Sequence, residues 1–423
     1  MAKIKPFKGF FYNPAKIPEL GKVVCPPYDV IDTEAQDYYS SLSPYNMVHL
    51  ILRKDIEGQD KYFLASQYLN KWIEEKILIP DEKQSIYFYL QEYKLKGEKK
   101  LRLGFIGLLS LDSSKGNIFS HEYTHIEPKE DRFSLLKAVR ANLSPIFVLF
   151  QDKHRIIKRL YDEAISSKKP FIELKDKDSI HRLFKIQEPN YLKMLQDAME
   201  DRDIFIADGH HRYEVALAYR DYMRQQQKVI ESESDFEYIM AYFTNVESKG
   251  LVILAVHRFV KGINLDDSNL KDMLFTYFDI EEIKEKSKFF FYLEKSGLTQ
   301  NTIGLYRNKH FFLLRLKNVK ILDKMLIDKP KLYCRLDISI LNHLIFERIL
   351  NIKPDDKERI IFSYDRDALI QQADSDKRDM VFFLNPIKVE YLVSLAAKGW
   401  RLPPKTTYFY PKLLSGLIIN KHT

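Results

Sequence analysis

Short strand-like runs alternate with amphipathic helical segments along the whole chain. The strand-like runs are rich in β-branched and aromatic residues and lie between turn signals, whereas the helical segments repeat apolar residues every three or four positions. The strand candidates are Ser85–Tyr93, Leu101–Leu111, Ile146–Phe150, Ile204–Ala207, Tyr238–Phe243, Leu251–Val256, Phe289–Tyr292, Phe311–Leu316 and Val381–Leu384. The first two are predicted to pair around a turn at Lys96-Gly97. The helix candidates are Gln59–Lys76, a helix that Pro128 opens and that ends near Asn142, a helix that follows Gly209, and Leu336–Leu350. This alternation predicts a mixed α/β or α+β fold.

The length of 423 residues predicts two or three domains, since single domains have about 100–200 residues. We expect an N-terminal α+β domain over 1–150 and a central segment over 151–260 that carries a strand-to-helix junction at Asp208. A C-terminal α+β domain is expected over 261–423, ending in a basic and aromatic loop.

Composition narrows the classes of partner. Lysine and arginine (67) exceed aspartate and glutamate (59) by 8, without a dense basic tract or a recognisable helix-turn-helix, so a nucleotide and a small molecule are favoured over DNA. Glycine is scarce (14 residues), and neither the P-loop nor the glycine-rich dinucleotide loop occurs. Two cysteines, no signal-peptide pattern and no long apolar stretch predict a cytoplasmic protein without a membrane segment. The oligomeric state stays open.

The sharpest local motif is Ile206-Ala-Asp-Gly-His-His-Arg-Tyr213, where a strand ends, a glycine permits a turn and a helix begins. A helix N-terminus offers free N–H groups and a positive dipole end to an anion, and Arg212 adds a fork for phosphate oxygens. Asp208 lies where a carboxylate can hold Mg²⁺ or accept a substrate proton. The alternative is an N-capping aspartate followed by surface histidines.

His121-Glu-Tyr-Thr-His125 has the HExxH spacing of zinc proteases. That spacing binds zinc only on a helix, and here the helix is expected to start later, at Pro128. A second interpretation is an extended segment whose His121 and Glu122 face a cleft or a hydrogen-bond network. A metallohydrolase is therefore kept as a further alternative.

Three more groups of residues carry open alternatives. Lys129 to Arg132, with Arg140 and Asn142 on the same expected helix, fit either a salt-bridged surface or a binding face. Lys405 and Lys412, with the tyrosines between them, fit either a phosphate clamp or packing of the C-terminal segment. Cys25 has no neighbouring histidine or basic cluster in sequence, so a nucleophilic thiol is not expected.

A set of ordered motifs resembles one family along nearly the whole chain. The chain resembles domain-of-unknown-function family ten-fifteen, which is sometimes labelled SpoOJ/ParB-like. The motifs are Cys25-Pro-Pro-Tyr-Asp-Val-Ile31, Ser43-Pro-Tyr-Asn46, His121-Glu with Thr124, Lys129-Glu-Asp-Arg132, Arg140-Ala-Asn-Leu-Ser-Pro-Ile146, Ala207-Asp-Gly-His-His-Arg-Tyr-Glu214 and Pro403-Pro-Lys-Thr-Thr-Tyr-Phe-Tyr-Pro-Lys412. This resemblance implies no settled activity.

A more distant resemblance concerns the residues from Asp208 to Arg212, which are similar to the phosphate-binding box of the ParB–sulfiredoxin superfamily. Free-serine kinases in that superfamily have a box of the form Asp-Gly-His-x-Arg. The resemblance implies a ParB/sulfiredoxin-like nucleotide-binding core with additional α+β segments. It implies that the residues from Gly209 to Arg212 cradle phosphates and that Asp208 serves a metal or acts as a base, with Asp29 as a second acidic partner.

The leading hypothesis is a phosphotransferase that uses ATP or ADP with Mg²⁺ and acts on a small hydroxylated metabolite, as a free-serine kinase does. The alternative is a non-catalytic, nucleotide-gated DNA or protein binding module of the ParB kind. Under the leading hypothesis the residues divide into three sets. Catalysis is assigned to Asp208, which also ligates the metal, with His211 and Asp29; cofactor binding to Gly209, His210, Arg212, Lys405 and Lys412; and substrate binding to His121, Glu122, Arg132 and Asn142.

Overall fold

A computed structural model describes residues 3–55, 57–112, 117–123, 126–176, 179–200, 202–226 and 234–422. Its strands are β1 (Ile4–Lys5), β2 (Phe10–Tyr12), β3 (Leu78–Pro80), β4 (Ile86–Leu95), β5 (Glu98–Ser110), β6 (Ile118–Phe119), β7 (Ala141–Asn142), β8 (Ile146–Phe150), β9 (Ile172–Asp176), β10 (Ser179–Ile186), β11 (Ile204–Asp208), β12 (Tyr238–Asn245), β13 (Val252–Ala255), β14 (His257–Val260), β15 (Phe278–Ile283), β16 (Thr302–Arg307), β17 (His310–Leu316), β18 (Ile360–Ser363), β19 (Met380–Phe383), β20 (Thr407–Tyr410) and β21 (Asn420–Lys421).

The α-helices are α1 (Thr33–Leu42), α2 (Val48–Ile51), α3 (Lys61–Glu74), α4 (Ile126–Val139), α5 (Ile156–Leu160), α6 (Pro189–Met199), α7 (His210–Gln226), α8 (Asp267–Phe275), α9 (Lys286–Ser296), α10 (Ile321–Met325), α11 (Lys331–Cys334), α12 (Asp337–Ile340), α13 (Arg366–Ala373) and α14 (Val389–Ala396). Two π-helical segments, Tyr161–Ile165 and Leu341–Ile349, continue α5 and α12. The predicted α+β class is confirmed.

The chain divides into two compact units. Unit one comprises Met1–Ser120, Thr124–Val252 and Pro411–Thr423, and unit two comprises His121–Tyr123 and Ile253–Tyr410. These units do not coincide with the three predicted segments, 1–150, 151–260 and 261–423, which stay a prediction. One reason for the difference is that strands before and after residue 150 share the main sheet of unit one.

Unit one is built on a mixed sheet with the strand order β6-β11-β8-β12-β5-β4-β10-β9, and β1 pairs with β5. The pairs β8–β12 and β6–β11 are parallel, and the other described pairs are antiparallel. The predicted strand pair is confirmed: Lys96 (φ 51°) and Gly97 (φ 83°) form a two-residue turn in which both φ angles are positive. Such turns match the twist of paired strands. The ring centroids of Phe105 and Phe243 stack at 4.8 Å within the core of this unit.

Unit two contains an antiparallel sheet with the order β15-β17-β16-β19-β14-β18. The core on this sheet includes Phe289 and Leu293 from α9, Leu369 from α13, and Val381 and Phe383 from β19. The predictions of strands over Phe311–Leu316 and Val381–Leu384, and of a helix over Leu336–Leu350, are confirmed within one or two residues.

The predicted strand over Phe289–Tyr292 is wrong, because these residues lie in α9. Phe289 and Leu293, four positions apart, are fully buried, whereas Phe291 and Tyr292 are exposed. That spacing is helical. The run of consecutive aromatic residues resembles a buried strand only because its neighbours on the exposed side of the helix are also aromatic.

The helix predicted from Pro128 to about Asn142 has different limits. It begins at Ile126 and ends at Val139, because Arg140 has a positive φ of 47° that a helix cannot continue. Arg140 and Asn142 therefore do not share a helical face with Arg132, and Asn142 lies in β7, which pairs with β21.

Within the part of the chain that the structure describes, no helix combines the length and the apolar character needed to cross a lipid bilayer.

Candidate functional site

The candidate site of unit one lies where β11 passes into α7. Asp208 is the last residue of the strand, and His210 is the first residue of a 17-residue helix. Gly209 between them has a φ of 89°, and a Cβ atom at this position would lie 3.0 Å from Nη2 of Arg212. Glycine therefore allows both the turn and the close approach of the guanidinium group. The first turn of such a helix directs N–H groups and the positive dipole end outward.

The Asp208 carboxylate joins two cations that come from different parts of unit one. Its Oδ1 accepts a hydrogen bond from Nζ of Lys412 at 2.6 Å, and its Oδ2 accepts one from Nη2 of Arg212 at 3.3 Å. The side chains of Asp208, Lys412 and Arg212 are only 16%, 11% and 14% exposed. Burial alone would raise the pKa of Asp208, but the charges of Lys412 and Arg212 outweigh it and hold this pKa well below its usual value.

Lys412 is positioned by backbone contacts to the main sheet of unit one. The carbonyl oxygen of Pro411 accepts a hydrogen bond from Nη2 of Arg102 at 2.6 Å, and that of Lys412 accepts one from Nε2 of Gln91 at 3.3 Å. Gln91 and Arg102 are paired residues of β4 and β5. The C-terminal segment is thus attached to the sheet at the residue that pairs with Asp208.

Arg212 is held by the segment before β8. Its Nη1 donates to Oγ of Ser144 at 2.9 Å and to the carbonyl oxygen of Pro145 at 2.6 Å. Its Nε is buried and has no hydrogen-bond partner among the described residues. A buried donor without a partner is unfavourable in a folded protein unless a ligand or water supplies an acceptor. The Arg212 guanidinium group thus uses Nη1 and Nη2 in contacts with the protein, whereas its Nε has an acceptor to gain from a ligand.

A cavity of about 70 Å³ lies beside Arg212 within unit one. Its polar lining comes from Tyr28, Arg132, Asn142, Ser144 and Arg212, and the remainder is largely apolar. The guanidinium carbon of Arg132 lies 4.2 Å from the centroid of the Tyr28 ring. Burial, assisted by the charge of Asp29, raises the pKa of Tyr28 to about 12 although Arg132 and Arg212 oppose it, so the phenol remains protonated and able to donate. The cavity therefore combines cationic and hydrogen-bonding groups.

Most of the site residues predicted within unit one lie either at the junction of β11 and α7 or in the lining of the cavity beside it. Arg132 and Asn142 share the cavity with Arg212, and Oδ1 of Asn142 accepts from the backbone N–H of Met240 at 3.0 Å. His210 is buried, and burial lowers its pKa to about 4 although Asp208 opposes the shift. His211 follows on α7 and is half-buried.

Two residues beside the cavity, Tyr28 and Ser144, were not predicted from the sequence. Asp29, by contrast, was predicted; it is exposed and is not a lining residue of the cavity. The sequence signal for Tyr28 is the Pro-Pro-Tyr-Asp turn, from which only the acidic residue, Asp29, was predicted as a site residue. Ser144 lies in the Arg140-to-Ile146 motif, but its contact with Arg212 spans 68 residues and has no local signature.

The other predicted site residues belong to unit two. His121 is buried with its Nε2 3.5 Å from Oγ1 of Thr407, and Oε1 of Glu122 accepts from the backbone N–H of Lys405 at 2.9 Å. The carbonyl oxygen of Lys405 accepts from Nη2 of Arg258, whose pKa is lowered to about 9 by burial. Both of these contacts of Lys405 are made by its backbone N–H and carbonyl groups. Its side chain, for which a role in cofactor binding was predicted, is exposed.

The HExxH segment does not have the conformation that a zinc protease requires. Glu122 forms an extended bridge with Leu402 and His121 precedes it outside any helix, while His125 lies outside the described residues. Two histidines four positions apart share a ligand-binding face only on a helix.

We expect purified protein to contain much less than one zinc ion per chain, and His125→Ala to leave its zinc content unchanged. Metal analysis by mass spectrometry measures both, with Glu122→Gln as a second variant of the motif. One tightly held zinc ion per chain that His125→Ala removes would contradict this expectation and favour a metallohydrolase.

Comparison with known proteins gives a family match and several similar structures. A family model described as "Protein of unknown function (DUF1015)" matches residues 4–339. No curated protein matches the chain significantly.

Three of the similar solved structures are described by their sequence identity, their TM-score and the share of each chain that is covered. A conserved hypothetical protein from Pyrococcus furiosus has 13% identity and a TM-score of 0.32, with 72% of this chain and 92% of that chain covered. A free serine kinase in complex with AMP has 13% identity and a TM-score of 0.35, with 72% and 88% covered. SbnI with a C-terminal truncation, from Staphylococcus aureus, has 10% identity and a TM-score of 0.35, with 73% and 85% covered.

Proposed function

The chain belongs to the DUF1015 family of proteins of unknown function, and from the charged junction at Asp208 we propose that it is a nucleotide-dependent phosphotransferase. The substrate class that we propose is a small hydroxylated metabolite, and the phosphoryl donor is ATP or ADP. Phosphoryl transfer depends mainly on positioned charge, so a helix N-terminus, cations and one acidic group supply most of what it needs.

The observation that carries this proposal is the unequal charge of a largely buried cluster. Lys412 and Arg212 are two cations that share the single carboxylate of Asp208, and Nε of Arg212 lacks an acceptor among the described residues. In a medium of low dielectric constant, the positive excess and the open donor both favour an anion. The N-terminus of α7 adds N–H groups to the same place.

The proposed roles follow from these positions. The N–H groups that follow Gly209 would hold phosphate oxygens together with Arg212 and Lys412. Arg132, which lines the cavity with Arg212, would help to bind the substrate. The low pKa of Asp208 keeps it ionised, so it would accept a hydrogen bond from the attacking hydroxyl group, orient it, and take up its proton as the new oxygen–phosphorus bond forms and the shortened nucleotide leaves. The roles predicted for His210, His211, Asp29, Asn142, Lys405, His121 and Glu122 stay predictions.

The donor atoms of this cluster do not fit Mg²⁺ in the arrangement observed. Both oxygens of Asp208 accept hydrogen bonds from cationic groups, whereas Mg²⁺ is usually held by carboxylates that have oxygen free for it and by substrate phosphates. Asp208 is therefore proposed as a hydrogen-bond acceptor for the substrate, and its predicted role as a metal ligand is not part of the proposal.

We expect Arg212→Ala to weaken nucleotide binding about tenfold or more, because a charge-assisted hydrogen bond contributes roughly 1.5–3 kcal/mol. Titration calorimetry with ATP and ADP, in the presence and absence of Mg²⁺, measures the affinity. Arg212→Ala should also lower the melting temperature, since it removes the contacts to Ser144 and Pro145.

Arg224→Ala is the matched control, because Arg224 is on the same helix and pairs with Glu237 at the other end of it. Arg224→Ala removes an equal charge from a pair with the buried Glu237, and Arg224 does not line the cavity. Equal loss of nucleotide affinity in the two folded variants would assign the effect to stability and contradict the proposed site. Wild-type protein that binds no nucleotide but retards DNA on a gel would favour the binding-module alternative.

A further inference from the structure

A second cleft, within unit two, is separate from the residues of the proposed phosphotransferase. It has a volume of about 190 Å³ and lies among the ends of α9, α12, β19 and the segment after β19. Its polar lining includes Asp337, Gln300, Asn301 and Asn385 with two cations, Arg335 and Lys388, and several apolar side chains also line it. No motif of the sequence pointed to it.

The Asp337 carboxylate in this cleft is bound by amides and not by a cation. Its Oδ1 accepts from Nδ2 of Asn301 at 2.7 Å, and its Oδ2 accepts from Nδ2 of Asn385 at 3.4 Å. Among the described residues, no lysine, arginine or histidine forms an ion pair with it. Burial raises the pKa of Asp337 to about 6, although the amide donors oppose this shift. The carboxylate is thus largely ionised at neutral pH without a counter-charge.

The two cations that line the cleft are placed differently. Arg335 forms a bidentate pair with Asp323, with both N–O distances at 2.6 Å. Lys388 is exposed, and its Nζ lies 5.7 Å from the centroid of the Tyr391 ring. Neither of these contacts involves Asp337, so neither cation of the lining forms an ion pair with its carboxylate.

The orientation of the Asn301 and Asn385 side-chain amides is fixed by the acceptors around their nitrogen atoms. Nδ2 of Asn301 donates to Asp337 and to the carbonyl oxygen of Arg335 at 2.7 Å, and Nδ2 of Asn385 donates to Asp337 and to the carbonyl oxygen of Thr302 at 3.2 Å. Because acceptors surround each Nδ2, each Oδ1 must point away from them. Asn385 also packs against Gly297 so closely that a Cβ atom there would lie 2.2 Å from Nδ2. The pair of amides is therefore fixed as a support for the carboxylate.

We propose that this cleft binds a small organic amine, whose protonated nitrogen pairs with Asp337 and whose apolar part contacts Leu298, Ile387 and Tyr391. A buried carboxylate is stabilised most by an opposite charge at hydrogen-bond distance. A single carboxylate beside two amide nitrogens is a poor site for Ca²⁺ or Mg²⁺, which require several oxygen ligands. An anion would be repelled by the same carboxylate. Leu298 is 71% exposed, so an apolar group on the ligand would cover surface that is otherwise in water.

The test is titration of the full chain at pH 7.5 with phenethylamine, isopentylamine and putrescine, followed by ligand-observed NMR and calorimetry. The alcohols 2-phenylethanol and isopentanol serve as neutral counterparts of the first two amines. We expect at least one amine to bind while its alcohol does not, and Asp337→Asn to weaken amine binding at least tenfold. Affinity should also fall as the pH drops below about 6, where Asp337 becomes protonated.

Two further variants keep the test decisive if Asp337→Asn does not fold. Gln300→Trp places a large ring at an exposed position of the cleft lining and should abolish amine binding without loss of core contacts. Asp379→Asn is the matched control, because Asp379 is a buried carboxylate of the same unit that does not line the cleft and accepts from the N–H of Gly262. If no amine binds, or if binding is unchanged in Asp337→Asn or Gln300→Trp, then Asp337 only supports the start of its helix and the proposal is wrong.

Discussion

Replacing Asp208 by asparagine is expected to reduce phosphoryl transfer by about 10²–10⁴-fold, the usual contribution of a positioned acid or base. Nucleotide affinity should remain within about tenfold of wild type, because the change removes a negative charge from the neighbourhood of the phosphates. Asparagine has nearly the same shape and keeps one oxygen as an acceptor for Lys412 or Arg212. The two effects therefore separate binding from chemistry.

The measurement is transfer of phosphate from ATP and from ADP to a panel of hydroxy amino acids and sugars, with calorimetry on the same samples. Asp221→Asn is the matched control, since Asp221 is also on α7 but is exposed and pairs with Arg220. Full turnover in Asp208→Asn would show that the carboxylate has only a structural role. Asp29 would then be the next residue to test, because it adjoins Tyr28 of the cavity lining.

The second large effect that we expect is a loss of the folding stability of unit one when the pH is lowered. Burial lowers the pKa values of His181 to about 3 and of His210 and His422 to about 4, all in unit one. The unfolded chain, with histidine pKa values of about 6.5, therefore binds more protons than the folded chain between pH 6.5 and 4. Stability is complete above pH 6.5 and is lost as the pH falls. Through each of these histidines, the free energy of unfolding falls by about 2 kcal/mol between pH 6.5 and 5. The three losses together approach the whole free energy of unfolding of a typical domain, roughly 5–15 kcal/mol.

We expect the melting temperature of unit one to fall by roughly 10–20 °C between pH 7 and pH 5. His422→Phe isolates one contribution, because neither ring nitrogen of His422 has a hydrogen-bond partner among the described residues. This variant should equal or exceed wild-type stability at pH 7 and lose less stability at pH 5. His154→Gln changes an exposed histidine and should follow wild type at both values. Parallel pH profiles for all three proteins would contradict the assignment to buried histidines.

The sequence is sufficient for features that local residues determine. The β4–β5 turn at Lys96-Gly97 and the strand, glycine and helix around Asp208 depend on neighbours in sequence, and the structure has both as predicted. The predicted end of α4 is three residues too late, because Arg140 has a positive φ that its residue type does not indicate, and the next residue already pairs with a strand from the far end of the chain.

The candidate site was only partly predictable for the same reason. The motif indicated Asp208 and Arg212, but the pairing with Lys412 links residues 204 positions apart. Nothing in the Pro403-to-Lys412 loop distinguishes Lys412, which contacts Asp208, from Lys405, whose backbone serves unit two. The Asp337 cleft had no sequence signal at all, since its carboxylate and its two amides, Asn301 and Asn385, come from three separate segments and meet only after folding.

The ion pair between Asp208 and Lys412 also has a consequence for the order in which the chain acquires its structure. A ribosome synthesises Asp208 long before Lys412, which is 204 positions later, and most of unit two lies between them in the sequence. Closing a flexible loop of that length costs entropy that grows only logarithmically with its length, so prior folding of unit two would lower the cost by shortening the flexible part. During synthesis, Asp208 and Arg212 can meet early, whereas the second cation arrives last. The nascent chain therefore acquires its anion-attracting charge as one of the final steps of its folding.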